Sequence, residues 1–158
     1  MKHVASILWR KKPGEIFVDN KYSRKHAWKF DGGLEVPASS SPHVVRLPFS
    51  DAAAVDPEEA FVASIASCHM LTFLFIAASQ SFLIEKYEDE AEGEMSKNAA
   101  GEMYISTVTL KPRIHFSGEK IPSDEKIMEM HHLAHRQCFI ANSIISKVIV
   151  NPINNDRS

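Results

Sequence analysis

A run of 25 uncharged residues, 60–84, constrains the fold of this chain more than any other feature of the sequence. Its length meets the criterion for a membrane span. However, the run contains seven hydroxyl, amide or imidazole side chains, which are costly in lipid, and no basic cluster flanks it. We therefore expect a helix that is buried on nearly all sides in a protein core, and no membrane partner.

The sequence also marks where this helix begins. Asp56 suits the N-cap position, Pro57 suits the first helical position, and Glu59 completes a capping box. These signals predict a central helix over residues 56–80, with Cys68 about three turns inside it.

The remaining segments alternate between strand and helix signals. We predict an N-terminal β meander over residues 1–50, a β hairpin over residues 85–116, a second helical region over residues 123–145 that carries Cys138, and a closing strand over residues 146–152. The strand candidates within the meander are residues 4–9, 15–18, 26–30 and 43–47. The sum is an α+β chain that we expect to form one domain over its 158 residues.

Composition and charge exclude some classes of protein. Charged residues make up 24% and hydrophobic residues 44%, which is ordinary for a soluble protein, and the net charge of −2 gives no footprint for nucleic acid. Residues 1–12 lack a sustained apolar stretch and a small-residue cleavage site, so we expect a cytoplasmic location. There, two cysteines are more often catalytic or metal-binding than structural.

Two cysteine motifs resemble those of the OsmC/Ohr family of thiol-dependent organic hydroperoxide reductases. The first is residues 56–71, DPEEAFVASIASCHML, and the second is residues 134–143, AHRQCFIANS. Residues 22–26, and the acidic strand that follows the central helix, are similar to an OsmC-like branch of that family. The similarity extends from about Trp9 to Val150.

The resemblance implies an assembly as well as a fold. It implies an intertwined homodimer in which β-sheets wrap around two central long helices, with the active site at the subunit interface. Such a dimer would cover the uncharged helix, which one subunit of this size would struggle to bury. The resemblance also implies small organic hydroperoxides as substrates, an external dithiol reductant of the lipoyl type, and no bound cofactor or metal.

The same resemblance assigns roles to individual residues. Cys68 is the thiol that attacks the peroxide and becomes a sulfenic acid, and Cys138 is the resolving thiol that closes a disulfide with it. Arg46 is the best match to the family's activating arginine, and Arg24 is the second choice. Glu58 matches the glutamate that orients this arginine.

Elementary chemistry supports the need for a cation beside Cys68. A free cysteine has a pKa near 8.5, and Cys68 lies too deep in its helix for the helix N-terminus to lower that value strongly. Ten residues of one straight helix separate Glu58 from Cys68 by roughly 15 Å. Either the arginine spans this gap, the helix breaks, or Glu58 serves Cys68 of the partner subunit, which is the alternative we favour.

Two other classes of function stay open. A metal site could use Cys68, Cys138 and His135, since His131 and His135 lie one helical turn apart, although no CxxC clamp accompanies them. A catalytically weak OsmC-like stress or redox protein is the other class. Taken alone, Cys68 is equally a small buried hydrophobic residue, and His69 is expected in the core or beside the site rather than as a base. The candidates for an apolar substrate pocket, each of which alone is more often a core residue, are Phe49, Phe61, Met70, Phe73 and Phe139.

Overall fold

The computed structural model describes residues 1–153 and the backbone of residues 156 and 157. The secondary structure is mixed, so the predicted α+β class is confirmed. In chain order the elements are β1 (Ala5–Leu8), a 3-10 helix (Phe17–Asp19), β2 (His26–Phe30), β3 (Glu35–Ala38), α1 (Pro57–Ser79), β4 (Leu83–Asp89), β5 (Glu92–Lys97), β6 (Met103–Leu110), β7 (Pro112–Ser117), α2 (Asp124–Gln137), a second 3-10 helix (Ala141–Ser143), β8 (Lys147–Val150) and β9 (Asp156–Arg157). The chain divides into two compact units, Met1–Ala60 and Phe61–Ser158.

In the N-terminal unit, β1, β2 and β3 form an antiparallel sheet in that order. Ala5 lies opposite Phe30, and His26 lies opposite Ala38. Ala38 also forms a parallel bridge with Val55, so the segment that leads into α1 is tied to the end of β3.

Two of the predicted N-terminal strands are wrong. Residues 15 and 16 have no regular structure, and residues 17 and 18 belong to the first 3-10 helix. Residues 43–47 form turns, because the amide groups of Val44 and Val45 both donate to the carbonyl of Ser41 rather than to a neighbouring strand. Prolines flank this segment on both sides and supply no amide donor, which further disfavours a strand there.

In the C-terminal unit, residues 83–117 form four strands rather than the two of a simple hairpin. β5 pairs with β6 and β4 pairs with β7, both antiparallel, so that one pair is nested within the other. Where the pairs meet, the Asp89 carboxylate accepts a hydrogen bond of 2.7 Å from the Lys111 amide, and Pro112 begins β7 without an amide to donate. β8 and β9 then add in parallel to β6 and β7.

Both helices are capped by side chains at their N-termini. The Glu59 amide donates to the Asp56 carboxylate at 2.7 Å, and the Asp56 amide donates to the Glu59 carboxylate at 3.3 Å. This reciprocal pair confirms the predicted capping box. At the start of α2, the Ser123 hydroxyl accepts a hydrogen bond from the Lys126 amide and caps this helix as well.

The C-terminal unit contains two apolar clusters, and α1 contributes to both. The second half of α1 packs with β7 and α2, and the first half packs with β6. The buried residues of the first cluster are Phe73, Ile76, Ala77, Phe82, Ile114, Phe116, Ile127, Met130 and Ala134. Those of the second are Ile65, Val108 and Leu110.

One side of α1 is left uncovered within the chain, which differs from the expected burial on nearly all sides. We call this side the exposed stripe; it consists of Ser64, Ser67, Leu71 and Phe75 at spacings of three and four residues. Leu71 is 62% exposed and Phe75 is 71% exposed.

The composition of α1 also meets the criteria for a membrane span. The mean hydropathy of its most apolar window is 2.0, and 28% of that window is buried. This is weak evidence for a membrane, because the core helices of soluble proteins pass the same test.

Candidate functional site

The two cysteines, 70 positions apart in the sequence, meet in the C-terminal unit. Cys68 lies in the middle of α1 and is half-buried, whereas Cys138 follows the last residue of α2 and is fully buried. The Cys68 side chain lies close enough to Cys138 to raise the pKa of its thiol, and both thiols are free. The structure therefore brings together the two residues that the motifs single out, and we call them the cysteine pair.

The buried member of the cysteine pair is held in its protonated form. Burial, and then the neighbouring Cys68 side chain, raise the pKa of Cys138 to about 11. The amide of Ala141, 3.4 Å from the Cys138 sulfur, opposes this rise only in part. At neutral pH Cys138 is therefore a thiol, and the half-buried Cys68 is the member that a ligand from solvent would meet first.

A short turn fixes Cys138 at the end of α2. Cys138 has extended backbone angles, φ −71° and ψ 114°, which end the helix. The Asn142 side chain donates to the Arg136 carbonyl at 3.0 Å, and the Asn142 amide donates to the Cys138 carbonyl at 3.1 Å. Asn142 was not singled out from the sequence, although asparagine is typical of such turns and lies inside the second cysteine motif.

A second pair of polar residues joins the same two helices. Nε2 of His69 on α1 lies 3.0 Å from Nδ1 of His131 on α2, so that one nitrogen donates and the other accepts. The two ring planes differ by 11°, and Phe73 packs against His131 at 4.3 Å between ring centroids. His69 is thus a core residue, as expected from the sequence, but its bond with His131 was not foreseen. We call these residues the histidine pair.

Burial keeps the histidine pair neutral. It lowers the pKa of His69 to about 4, with a further contribution from His135, and it lowers the pKa of His131 to about 3, with further contributions from His69 and His132. The other ring nitrogens, Nδ1 of His69 and Nε2 of His131, are buried without a hydrogen-bond partner among the described residues.

The two candidate arginines belong to the N-terminal unit and differ in their contacts. Arg24 stacks on the Tyr22 ring at 3.8 Å and donates hydrogen bonds to the carbonyl of Tyr22 and to the carbonyl and side chain of Asn20. Arg46 is exposed, and its guanidinium forms no hydrogen bond or ion pair within residues 1–153. The guanidinium of Arg24 is therefore already bonded within its own turn, whereas the guanidinium of Arg46 is free to donate hydrogen bonds to another group.

Glu58 lies in the first turn of α1 and is half-buried. α1 runs without interruption from Pro57 to Ser79, so the alternative of a helix break between Glu58 and Cys68 is wrong. The pairing of Glu58 or Arg46 with Cys68 remains a prediction.

A family profile described as OsmC-like protein matches residues 50–152, which is most of the chain and includes both cysteines. The chain belongs to the OsmC-like family. No curated protein matches the sequence.

Solved structures of other OsmC-like and related proteins share this fold. An OsmC-like protein of unknown function from Vibrio cholerae has 50% sequence identity and a TM-score of 0.95, and the match covers 97% of this chain and 99% of that one. The organic hydroperoxide resistance protein OsmC of Legionella pneumophila has 17% identity and a TM-score of 0.61, covering 100% of this chain and 97% of that one. OhrB of Bacillus subtilis, also an organic hydroperoxide resistance protein, has 20% identity and a TM-score of 0.61, covering 100% and 98%.

The metal-site alternative gains no support in this OsmC-like chain. Within the part of the chain that the structure describes, no three His, Cys, Asp or Glu side chains form a group that could hold a metal ion. Nδ1 of His131 is already occupied by its hydrogen bond with His69. The raised pKa of Cys138 also opposes the thiolate form that a metal ligand requires.

The residues suggested for an apolar pocket have different environments. Phe73 is fully buried and belongs to the core beside α2, whereas Phe139, the neighbour of Cys138, is 81% exposed. Phe61 and Met70 are partly buried on α1. Phe73 is therefore a core residue, and Phe139 is the aromatic side chain next to the cysteine pair that a ligand could reach.

Proposed function

We propose that this OsmC-like protein is a thiol-dependent peroxidase that reduces organic hydroperoxides to alcohols and so protects against oxidative stress. The observation that carries the proposal is that the two cysteines are neighbours, one thiol partly accessible and the other buried and protonated. The family supports a redox role in peroxide stress, since the related proteins of Legionella pneumophila and Bacillus subtilis are organic hydroperoxide resistance proteins.

In the first step, the Cys68 thiolate attacks the terminal oxygen of the hydroperoxide. The O–O bond breaks, and its electron pair leaves with the alkoxide, which takes up a proton to become the alcohol. The sulfur of Cys68 is thereby oxidised to a sulfenic acid, and the hydroperoxide is reduced.

In the second step, the sulfur of Cys138 attacks the sulfenic sulfur of Cys68. The S–S bond forms as the S–O bond breaks, and the hydroxyl leaves as water with the proton from Cys138. Because the two cysteines are already neighbours, this step needs little movement, and it spares Cys68 from further oxidation.

In the third step, an external dithiol of the lipoyl type reopens the disulfide. One thiolate of the reductant attacks a sulfur of the pair to form a mixed disulfide, and its second thiol closes a ring that releases both protein thiols. The reductant supplies two electrons to the protein disulfide and is itself oxidised to a cyclic disulfide, so the protein needs no bound cofactor or metal.

A cation must favour the thiolate of Cys68 and balance charge on the leaving alkoxide. We assign this role to Arg46, because its guanidinium has no recorded partner, whereas Arg24 is held by Tyr22 and Asn20. Glu58 would orient Arg46. Since α1 is unbroken, we assign Glu58 to the site that contains Cys68 of the partner subunit.

The working form in this proposal is a homodimer in which a second copy covers the exposed stripe. Leu71 and Phe75 offer large apolar side chains, and Ser64 and Ser67 allow close approach of another helix. The stripe has no charged residue, as a buried contact between identical helices requires. We propose a cytoplasmic location, without membrane or nucleic-acid partners.

Steady-state turnover tests the proposed function. Purified protein is supplied with cumene hydroperoxide and dihydrolipoamide, and consumption of the hydroperoxide is followed. We expect catalytic turnover by the wild type and none by Cys68→Ser. A wild-type rate no higher than that of Cys68→Ser would exclude peroxidase activity and leave a redox or stress protein that does not turn over hydroperoxides.

A further inference from the structure

The histidine pair and the cysteine pair lie on the same two helices. His69 directly follows Cys68 on α1. His131 precedes Cys138 by seven positions, or about two turns, which places the two residues on one face of α2. The interface between α1 and α2 therefore contains one hydrogen bond between imidazoles and, in the same region, the two neighbouring thiols.

The order of these contacts defines how the helices run past each other. Cys68 lies near Cys138, whereas His69 and Phe73, further along α1, contact His131, which lies earlier on α2. The remaining contacts between α1 and α2 come from apolar residues such as Ile76, Ala77, Ile127 and Met130. Apolar contacts are not directional, so they tolerate small slips of one helix along the other.

The histidine pair does not tolerate such a slip. Both rings are buried, with exposed fractions of 1% for His69 and 0% for His131. Separating Nε2 of His69 from Nδ1 of His131 would leave two more buried nitrogens without a partner, in addition to the two that already have none. The hydrogen bond therefore selects one alignment of α1 against α2.

A disulfide also depends on one alignment. Its Cα–Cα distance must fall within about 4.4–6.8 Å, a tolerance of roughly 2 Å. A slip by one residue moves a helix by about 1.5 Å along its axis and turns the side chain by about 100°. Such a change would carry one sulfur of the cysteine pair away from the other.

We propose that the histidine pair sets the alignment of α1 and α2 and thereby holds the sulfurs of Cys68 and Cys138 within bonding distance. His69 and His131 are positioning residues that act through the cysteine pair. The inference rests on the proposed function in one respect: the alignment of the two cysteines matters for turnover only if the protein is a peroxidase. The disulfide equilibrium itself can be measured without any peroxide.

The test measures the Cys68–Cys138 disulfide in mixtures of reduced and oxidised glutathione. Two glutathione molecules reduce the disulfide and become glutathione disulfide, so the ratio at the midpoint gives the equilibrium constant. We expect His131→Leu, which keeps an apolar side chain but removes the hydrogen bond, to lower the constant for disulfide formation about tenfold, or about 30 mV. His69→Leu should act in the same direction.

Conservative variants separate alignment from packing. His131→Asn offers an amide group near the position of Nδ1, and His69→Gln offers one near the position of Nε2. We expect each of these to keep a disulfide equilibrium close to that of the wild type. Met130→Leu, a buried residue on the same helix, and His132→Gln, an exposed imidazole on the same helix, are the matched controls and should not change it.

A folded His131→Leu protein with the wild-type equilibrium constant would overturn the inference, and so would a loss in His131→Asn as large as that in His131→Leu. Should the leucine variants not fold, nitrogen NMR of the wild-type imidazoles decides. Two neutral rings joined by one hydrogen bond between Nε2 of His69 and Nδ1 of His131 support the inference, and a charged ring or the absence of that hydrogen bond overturns it.

The inference and the proposed function fail in different experiments. A wild type that forms the disulfide in glutathione mixtures but does not consume cumene hydroperoxide would exclude the peroxidase and leave the role of the histidine pair intact. If the wild type consumes the hydroperoxide but the histidine variants keep an unchanged disulfide equilibrium, the proposed function stands and the inference about the histidine pair is overturned.

Discussion

The two members of the cysteine pair occupy contrasting surroundings although they are neighbours. Cys68 lies in the middle of a helix of 23 residues and is half-buried, whereas Cys138 lies at the end of a helix of 14 residues and is fully buried. Burial and the neighbouring thiol raise the pKa of Cys138 to about 11. The two cysteines therefore differ in their expected roles: Cys68 is accessible to a peroxide, and Cys138 stays protonated until Cys68 has been oxidised.

Serine substitutions at the two positions should give the largest and most different effects. Cys68→Ser should lower peroxide turnover by at least about 1,000-fold, since the attacking sulfur is gone. Cys138→Ser should still consume about one equivalent of cumene hydroperoxide and then stop, with Cys68 trapped as a sulfenic acid or oxidised further. Dimedone labelling followed by mass spectrometry checks this. Identical behaviour of the two variants would remove the contrast between the cysteines.

The surroundings of Cys68 depend on what covers the exposed stripe of α1. Phe75→Asp places a charge in the proposed contact between two copies, so we expect a monomer by light scattering after size-exclusion chromatography. Val18→Asp is the control, because Val18 is 90% exposed and lies outside the stripe. A wild type that is monomeric, or that is extracted only with detergent, would contradict the covering of α1 by a second copy.

Acid should weaken the interface that carries both cysteines. The pKa values of His69 and His131 in the folded state, about 4 and about 3, lie below the ordinary value of 6.5. As the pH falls below about 6.5, the unfolded chain therefore binds protons first. Stability from these two residues is full above that pH and is lost progressively toward pH 4, by about 1.4 kcal/mol per pH unit for each histidine.

Urea unfolding at several pH values measures this loss. The double variant His69→Gln and His131→Asn should show a flatter dependence between pH 6.5 and 4 than the wild type. Asp89 acts in the opposite direction, because burial raises its pKa and protonation then favours the folded state, but it is present in both proteins. Parallel curves for the two proteins would show that the histidines are charged or exposed in solution.

The two cysteines also differ in their need for a cation, since only Cys68 has to react as a thiolate with the peroxide. Arg46→Met should lower kcat/KM about 100-fold, measured with cumene hydroperoxide. Arg24→Met should leave kcat/KM near the wild-type value, because Arg24 stacks on Tyr22 and bonds to Asn20. The reverse order of the two effects would transfer the role to Arg24.

The smallest effect concerns how the two helices end. α2 ends at the extended residue Cys138, whereas α1 ends with Ser81 in the left-handed region, at φ 62°. The amides of Ser81 and Phe82 donate back to Ala78 and Ala77. Ser81→Gly should raise the free energy of unfolding by about 0.5 kcal/mol, because glycine adopts this conformation without steric cost. Ser79→Gly, inside α1, should lower it, and chemical denaturation compares the two.

The parts of the fold that follow from local chemistry could be predicted from the sequence. The start of α1 is such a case, because Asp56 and Glu59 satisfy each other's amides through side chains three positions apart. Residues 43–47 are the opposite case. Their β-branched pattern favours a strand, but the amides of Val44 and Val45 bond within the turn.

The candidate site could be predicted only in part. The meeting of Cys68 and Cys138 was anticipated through motif resemblance, since no periodicity relates residues 70 positions apart. The bond between His69 and His131 joins positions 62 apart and lies outside what the motifs indicated, so only the packing of α1 on α2 reveals it. The division of residues 83–117 into two strand pairs likewise depends on a contact between strands, the hydrogen bond from the Lys111 amide to the Asp89 carboxylate.

The central claim is that the cysteine pair converts a hydroperoxide into an alcohol by closing its own disulfide. Reduced protein treated with one equivalent of cumene hydroperoxide, digested without reductant and analysed by mass spectrometry tests this most directly. The account predicts a single cross-linked peptide that joins Cys68 to Cys138 within one chain, together with one equivalent of cumyl alcohol. Two unmodified thiols beside unreacted hydroperoxide would contradict it.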